Sequence, residues 1–392
     1  MNWNKLKFNK FITLQRGFDL PVDEMKDGNI PVLGSTGIIG YHNKVKVNPP
    51  GVVTGRSGTI GIIQYTDKPY WPHNTSLWVK DFKSNHPKFV YYRMKTLNLN
   101  RFNGGASVPT LNRNNLDNLI ILIPDIPIQE KIADILSAYD DLINTNCRRI
   151  QLLEEAARLL FREWFVHFRF PRLRQGFGGQ TGHEKVKIVN RDGRKMPAGW
   201  DYLPFTKIKL FKKAPLGVQV FTDIRQYYQT SEIDGTSITG NGEEVDYENR
   251  PSRADIEPRI NTIYFAKMKD TDKVLYFNKG NSDLLEKILL STGMVGFTTD
   301  EKYLGFLFGL LTSYEFIQYK NNYATGATQV SLNDRSLKKI KVIFPTIDLV
   351  EPYSEIVNPL LEECSYLRNK NQKLAQARDL LLPRLMSGAI EV

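Results

Sequence analysis

The sequence of 392 residues contains only two cysteines, Cys147 and Cys364, and five histidines. Two cysteines cannot build a disulfide framework, and neither lies in a spacing typical of metal ligands. The histidines are scattered, without an H-x-x-x-H or H-E-x-x-H arrangement. These absences argue against a bound structural metal.

Long hydrophobic runs are also missing. No stretch of about 18 apolar residues occurs, so no segment is expected to span a membrane. The first residues lack the apolar core of a secretory signal, which indicates a cytoplasmic protein. The 41% hydrophobic and 24% charged residues are those of an ordinary soluble protein, and the length allows two or more domains.

The net charge of +11 is unevenly distributed. Residues 1–124 carry 16 Lys and Arg against 7 Asp and Glu, and residues 171–345 carry 26 against 20. Residues 125–170 carry 6 against 8, and residues 346–392 carry 5 against 7. The globular segments are therefore expected to face a polyanion and the helical segments to face protein, although a solvated surface could give the same balance.

The chain repeats itself. Gly105, Leu111 and Pro124 return as Gly326, Leu332 and Pro345, always 221 positions later. Trp3-Asn4-Lys5-Leu6 is answered by Trp200-Asp201-Tyr202-Leu203. A binding module that occurs twice in one chain suggests a target in two parts.

Short apolar runs between Gly, Pro and Asn clusters predict mainly β domains over residues 1–124 and 197–345. Apolar residues at steps of three and four predict long helices over 125–170 and 346–392. Residues 171–196 are expected to be a linker, with a Gly- and Gln-rich insertion at 172–181. The extra length of the second domain is expected in the polar stretch 231–257.

A heptad-type seam is predicted on each long helix. The seam residues are Ile132, Ile135, Tyr139, Leu142, Leu153, Leu160 and Trp164 on the first helix, and Ile356, Leu360, Cys364, Leu367, Leu374, Leu381 and Leu385 on the second. Asn146 and Asn371 interrupt the seams, and such residues commonly fix register. The two helices are expected to close against each other antiparallel; the alternative is that each packs on its own domain.

Proline and glycine mark the remaining local features. Because Pro352 fits only the first turn of a helix, the second helix is expected to begin there. The run Asn48-Pro49-Pro50-Gly51 lacks the aromatic residue that an amino-methyltransferase motif needs, so it is interpreted as a turn. The run 55–61 is Gly-rich without being a P-loop, which favours a hairpin turn.

Candidate DNA-contacting residues lie on these turns and loops. Arg56 and Ser57 are presented by the Gly-rich turn, and an Arg fork suits guanine or phosphate. Lys267 and Lys269 are expected on one side of a strand as alternate residues, although a solvated face explains them equally well. The full set is Lys44, Lys46, Arg56, Ser57, Thr59, Ser107, Thr110 and Asn112 in the first domain, and Ser252, Arg253, Lys267, Lys269, Thr328, Gln329 and Asn333 in the second.

Taken together, the motifs resemble the specificity subunits of type I restriction–modification systems. The residues that carry the resemblance are the Gly-rich turn 55–61, the helix start Pro124-x-Ile126-Pro127-x-Gln129-x-Lys131-Ile132-Ala133, the loop Gly326-Ala327-Thr328-Gln329 and the run Leu381-Leu382-Pro383-Arg384-Leu385-Met386-Ser387-Gly388. The chain departs from the family in the insertion at 172–181 and in Val350-Glu351-Pro352, which stands where the first helix has Gln129-Glu130-Lys131.

The resemblance implies an α+β fold, in which two mainly β target-recognition domains are separated by two long antiparallel helices in a pseudo-two-fold arrangement. It implies a non-catalytic subunit that recognises a bipartite double-stranded DNA target, one half per domain. The expected partners are modification (methyltransferase) subunits, two of them, and ATP-dependent restriction subunits. No cofactor is expected on this chain; S-adenosylmethionine, ATP and Mg are expected on the partners.

The residues also bear on two other functions. A free-standing DNA enzyme would need clustered acidic metal ligands or a nucleophile set, and neither is found at a credible spacing. A coiled-coil interaction protein without a DNA role would have globular segments of neutral charge, whereas they carry +9 and +6.

Overall fold

A computed structural model describes residues 3–103, 109–171, 188–191, 193–326 and 330–392. The chain divides into two units, Met1–Asn144 with Gln372–Val392, and Thr145–Asn371. The domain borders predicted from the sequence stay predictions. The insertion at 172–181 lies outside the described residues.

Two helices are much longer than the others. The described helices are α1 (Phe8–Phe11), α2 (Pro87–Lys95), α3 (Ile126–Phe161), α4 (Leu304–Leu311), α5 (Tyr314–Tyr323), α6 (Asp334–Leu337) and α7 (Ile347–Met386). Short 3₁₀ turns occupy Val22–Glu24, Leu99–Phe102, Arg113–Asn115, Phe205–Lys207, Thr230–Glu232, Lys279–Leu284 and Glu301–Tyr303, and a π turn, Arg162–Val166, ends α3. Among the described residues, no helix is both long enough and apolar enough to cross a membrane.

The described residues of the first unit form three small sheets. Its strands are β1 (Trp3–Lys7), β2 (Thr13–Arg16), β3 (Ile30–Leu33), β4 (Ile38–His42), β5 (Gly51–Gly55), β6 (Ile63–Thr66), β7 (Trp71–Pro72), β8 (Ser76–Asp81) and β9 (Ile120–Pro124). The sheet orders are β2-β8-β5-β6, β4-β3-β7 and β1-β9. β5 is buried along its whole length, so it forms the centre of the four-stranded sheet.

The second unit contains two four-stranded sheets and three strand pairs. Its strands are β10 (Ile188–Arg191), β11 (Arg194–Pro197), β12 (Asp201–Pro204), β13 (Lys212–Lys213), β14 (Arg225–Tyr228), β15 (Ile233–Asp234), β16 (Ser237–Ile238), β17 (Glu243–Val245), β18 (Ala254–Ile256), β19 (Thr262–Ala266), β20 (Val274–Phe277), β21 (Ile288–Ser291), β22 (Met294–Thr298) and β23 (Lys341–Phe344). The sheet orders are β13-β22-β19-β20, β17-β14-β21-β18, β12-β23, β10-β11 and β15-β16. The polar stretch 231–257 supplies β15 to β18.

The sequence repeat is also a repeat of structure. In the first unit β1 pairs antiparallel with β9, which joins Trp3 to Pro124. In the second unit β12 pairs antiparallel with β23, which joins Asp201 to Phe344. Each globular segment therefore begins and ends in one two-stranded ladder, just before its long helix.

The two long helices pack antiparallel, as predicted. In the second unit the Asn146 side chain donates a hydrogen bond of 2.8 Å to Asn371. Further along α3, the Cys364 thiol lies 3.7 Å from the main-chain oxygen of Ile150, and the Tyr353 hydroxyl donates to Ala157 at 2.8 Å. The residue numbers of these contacts increase along α3 as they decrease along α7, so the two helices run in opposite directions.

The predicted seam, however, is partly on the wrong face. Ile135 and Leu142 are 37% and 38% exposed, and Ile356 is exposed as well. Five seam residues are buried as predicted, Ile132, Trp164, Cys364, Leu367 and Leu385. The other buried positions include Ala133, Leu136, Ile150, Ala157 and Phe161 on α3, and Val350, Tyr353, Val357 and Leu361 on α7. The seam is displaced because each helix must contact both the other helix and the sheets of a unit, which widens the buried stripe.

The second long helix also begins earlier than predicted. α7 starts at Ile347, so Pro352 is its sixth residue rather than its first. A proline there removes one main-chain hydrogen bond. Leu349, Val350 and Tyr353 are buried around it, and the burial of these three side chains offsets that loss.

A buried ionic cluster joins the helices to the globular part of the second unit. Glu154 on α3 pairs with Arg368 on α7, with side chains that are 5% and 20% exposed. The Tyr276 hydroxyl on β20 donates to Glu154 at 2.9 Å, and Thr236 donates to the same carboxylate at 2.8 Å. Burial raises the pKa of the Tyr276 hydroxyl well above its ordinary value, so it remains a donor.

The first unit contains a cluster of the same composition. Asp140 on α3 pairs with Arg378 on α7, and the Tyr92 hydroxyl on α2 donates to Asp140 at 2.5 Å. Burial and this hydrogen bond raise the pKa of Tyr92. Each unit thus connects its globular part to the helix pair through one Arg, one carboxylate and one Tyr.

Replacing Arg368 by Met is expected to destabilise the protein by about 3–5 kcal/mol, because Glu154 would remain buried without its partner. The free energy of unfolding in urea measures this loss. The matched control is Arg149→Met, whose ion pair with Glu363 is 55% and 40% exposed. Its expected cost is about 0–1 kcal/mol. Equal losses for the two variants would contradict a structural role of the buried cluster.

Candidate nucleic-acid interface

Three segments of the first unit meet where β5 ends. The main-chain nitrogen of Arg56 donates to Thr75 at 2.8 Å, and its oxygen accepts from Leu111 at 2.8 Å. Ser57 forms a bridge with Thr110. A side chain at Gly55 would place its Cβ 1.8 Å from the Thr59 oxygen, so only glycine fits there. Residues 55–58, 75 and 109–111 are called the first junction.

The second unit repeats this arrangement where β19 ends. The main-chain nitrogen of Lys267 donates to Gly293 at 2.9 Å, and its oxygen accepts from Leu332 at 2.8 Å. Met268 forms a bridge with Ser331, as Ser57 does with Thr110. Residues 266–268, 293 and 330–332 are called the second junction. Arg56 and Lys267 therefore occupy the same position in the two units.

The prediction that Lys267 and Lys269 are alternate residues of one strand is wrong. β19 ends at Ala266, because the next main-chain groups turn to other partners. The nitrogen of Lys269 donates to Val330 at 3.0 Å instead of to a strand. Lys269 is exposed, but it lies in the turn after β19 and not at an alternate position of the strand.

Arg56 lies half-buried beside the turn between β7 and β8. Its Nη1 donates to the main-chain oxygen of Asn74 at 3.1 Å. The Asn74 side chain donates to Asp19, and Arg16 pairs with Asp19 at 3.3 Å. The guanidinium fork has five N–H donors, so donors remain that could bind a phosphate or a base edge.

Lys46 is a second cation of the first unit, and it lies against two aromatic rings. Its Nζ lies 4.4 Å from the ring centre of Phe18 and 5.1 Å from that of Trp71. The main-chain nitrogen of Phe18 donates to Pro72 at 2.8 Å, so these rings are fixed to the turn that holds Asn74. The aromatic faces hold the ammonium group in place. Lys44 lies two residues earlier and is exposed.

In the second unit, Lys267 lines an open groove of about 550 Å³. Gln229, Ser252, Arg253 and Thr292 line the same groove. Burial, and then the neighbouring Lys213, lower the pKa of Lys267, whereas Asp334 acts in the opposite direction. Lys213 itself pairs with Asp334 at 2.6 Å. The groove thus brings together three predicted residues, Ser252, Arg253 and Lys267.

Lys320 supports this junction from the protein interior. It is 2% exposed, and its Nζ donates to the main-chain oxygens of Met268, at 3.0 Å, and of Thr271. Burial lowers its pKa to about 8, while Asp272 and Asp270 oppose this shift. The segment that follows Lys267 is therefore held by a buried amine.

Two of the predicted residues act as helix caps. The Asn112 side chain accepts from the main-chain nitrogen of Asn114 at 3.1 Å. The Asn333 side chain accepts from Ser336 at 2.8 Å and donates to Thr325 at 3.2 Å. Thr59 is exposed on the Gly-rich turn. Ser107, Thr328 and Gln329 lie outside the described residues, and DNA contact by every residue of the predicted set stays a prediction.

Sequence reasoning missed the turns that complete the junctions. These are residues 73–75 in the first unit and residues 292–293 in the second. In both places the sequence has a short polar segment between two apolar strands, His73-Asn74-Thr75 and Ser291-Thr292-Gly293, and this pattern could have identified the turns. Within the described part of the chain, no group of three or more His, Cys, Asp and Glu residues is placed to hold a metal ion.

Comparison with known proteins gives a family match. Residues 2–155 match the model of the type I restriction modification DNA specificity domain. The HindI specificity subunit of Haemophilus influenzae is 23% identical, over 73% of this chain and 72% of that protein. The MjaIX specificity subunit of Methanocaldococcus jannaschii is 24% identical, over 78% of this chain and 69% of that protein.

A solved structure shares the fold. The type I restriction–modification S subunit from M. genitalium aligns with a TM-score of 0.55 at 17% identity. The alignment covers 98% of this chain and 96% of that one. The α+β fold expected from the sequence is thereby confirmed.

Lys320 gives a testable dependence of stability on pH. Because its pKa in the folded protein is about 8 instead of the ordinary 10.5, the unfolded chain holds more protons between these values. Stability is therefore expected to rise with pH from about 8 to 10.5 relative to the Lys320→Met variant, and to show a constant offset below pH 8. Urea unfolding at several pH values measures this difference. The exposed Lys339→Met serves as the control, and a K320M curve parallel to wild type above pH 8 would contradict the assignment.

Proposed function

We propose that this chain, which carries the type I restriction modification DNA specificity domain in residues 2–155, is the DNA specificity subunit of a type I restriction–modification complex. One observation carries the proposal. Arg56 and Lys267 occupy the same position in two units of similar plan, each beside a polar turn and a loop. A protein with two such basic junctions has two places at which to read DNA.

Each unit would read one half of an interrupted target. The surroundings of the junctions differ, because the first has Arg56 with Lys46 and aromatic rings, whereas the second has Lys267 with Arg253 in a groove. Different side chains present different hydrogen-bond patterns to base edges. The two half-sites are therefore expected to differ in sequence.

The long helices would bind the partner subunits. They expose large apolar side chains, which mark interaction surfaces when they recur along one element. These are Ile135, Leu142, Leu152 and Leu159 on α3, and Ile356, Tyr366 and Leu380 on α7. The proposed partners are two modification subunits that use S-adenosylmethionine, and restriction subunits that use ATP and Mg.

In this proposal the partner subunits carry out the catalysis. The specificity subunit would supply binding and register, and methylation and cleavage would occur on other chains, in the cytoplasm. The alternative, a coiled-coil interaction protein without a DNA role, has no support from the relatives, which are named as specificity subunits.

Methylation mapping in cells that carry this chain and its modification partner tests the function. The expected result is an interrupted motif with two short specific halves. Exchanging residues 1–124 for those of a related chain should change one half only. If the partner binds and no motif gains methyl groups, the assignment fails.

Charge removal at the junctions is expected to weaken DNA binding through phosphate contacts. In Arg56→Gln and Lys267→Gln, the slope of log affinity against log salt should fall by about one each, if each cation neutralises one phosphate. Titration of labelled duplex with the assembled complex at several salt concentrations measures the slope. Arg149→Gln removes the same charge from a helix and should leave the slope unchanged. Equal slopes for all three variants would exclude the junction cations from phosphate contact.

A further inference from the structure

The turns beside the two junctions correspond residue by residue. β5 pairs with β8 so that Gly55 lies opposite Ser76, and β19 pairs with β22 so that Ala266 lies opposite Met294. One residue earlier, Thr75 and Gly293 accept the main-chain hydrogen bonds of Arg56 and Lys267. Asn74 directly precedes Thr75 in the sequence, and Thr292 directly precedes Gly293. These two residues therefore have the same place in the two units.

Both side chains are half-buried and retain hydrogen-bonding capacity. Asn74 donates from its Nδ2 to Asp19, and among the described residues its Oδ1 has no hydrogen-bond partner. The Thr292 hydroxyl likewise has none within the described part of the chain, and Thr292 lines the groove with Arg253 and Lys267. A polar group that the protein leaves unpaired at an open surface is available to a ligand.

The cations around these residues are placed to hold a phosphate. The Arg56 side chain is fixed by a bond to the main-chain oxygen of Asn74, and the main-chain nitrogen of Thr292 donates to the main-chain oxygen of Arg253 at 2.9 Å. Phosphate contacts set position without reading sequence, while neighbouring polar side chains read base edges. Asn74 and Thr292 are thus next to the anchoring groups and differ from them in chemistry.

We propose that Asn74 and Thr292 are specificity-determining residues, one for each half of the bipartite target. The inference rests on the proposed function. An asparagine amide pairs with the N6 and N7 groups of adenine, whereas threonine offers a hydroxyl and a methyl group that suits thymine. Because the junctions themselves are held by main-chain bonds, either side chain can change without loss of the turn.

The test is methylation mapping with Asn74→Ala and Thr292→Ala in the assembled complex. In each variant the preference for the recognised base is expected to fall about tenfold at one position of one half-site, while the other half-site remains as in wild type. Asn118→Ala and Thr222→Ala are the matched controls, since both residues are exposed and lie outside the junctions. They should leave both halves unchanged.

A second substitution keeps the test decisive if Asn74→Ala gives no methylation. Asn74→Thr introduces the residue of the other unit at this place, and it is expected to change the preferred base at one position rather than to abolish recognition. Unchanged preferences in all junction variants would overturn the inference while leaving the proposed function intact. A wild-type complex that shows no interrupted motif would overturn both.

Discussion

The main-chain groups of Arg56 and of Lys267 connect three segments that are far apart in sequence. In each unit the main-chain nitrogen of this residue donates to the turn that precedes a strand of the same sheet. Its main-chain oxygen accepts from the loop that leads to the last strand of the unit. A half-buried main-chain group that loses its partner costs free energy comparable to a lost hydrogen bond. These bonds tie strand, turn and loop together, and they hold the main chain of residues 56 and 267 at the place where the three segments meet.

The helix pair has a further constraint, which consists of polar contacts within its apolar interface. Asp140 with Arg378 in the first unit, and Glu154 with Arg368 in the second, place charges between two helices, and Asn146 bonds Asn371. Such pairs add little net stability compared with apolar residues, but a shifted register would leave each of them unpaired. The added tyrosines, Tyr92 and Tyr276, extend the same constraint from the helices to the globular parts.

This separation explains how one plan can carry different side chains beside its junctions. The junction bonds use main-chain atoms, so they do not depend on the side chains at 74 or 292. The ionic clusters that join each globular part to the helices use side chains away from the junctions. Changes at residue 74 or 292 therefore need not alter the scaffold, and the two units can carry Asn and Thr at the same place.

The duplication, the two long helices, the interrupting Asn146 and Asn371, and the basic turn with Arg56 can all be predicted from the sequence. These are local patterns, because helix periodicity and a repeated motif can be seen without knowing what they touch. Only the tertiary structure decided which helix face is buried, that β19 ends at Ala266, that α7 begins at Ile347 and that residues 73–75 and 292–293 complete the junctions. Each of these depends on hydrogen bonds or packing between segments distant in sequence, and no local pattern records which distant partner a main-chain group will find.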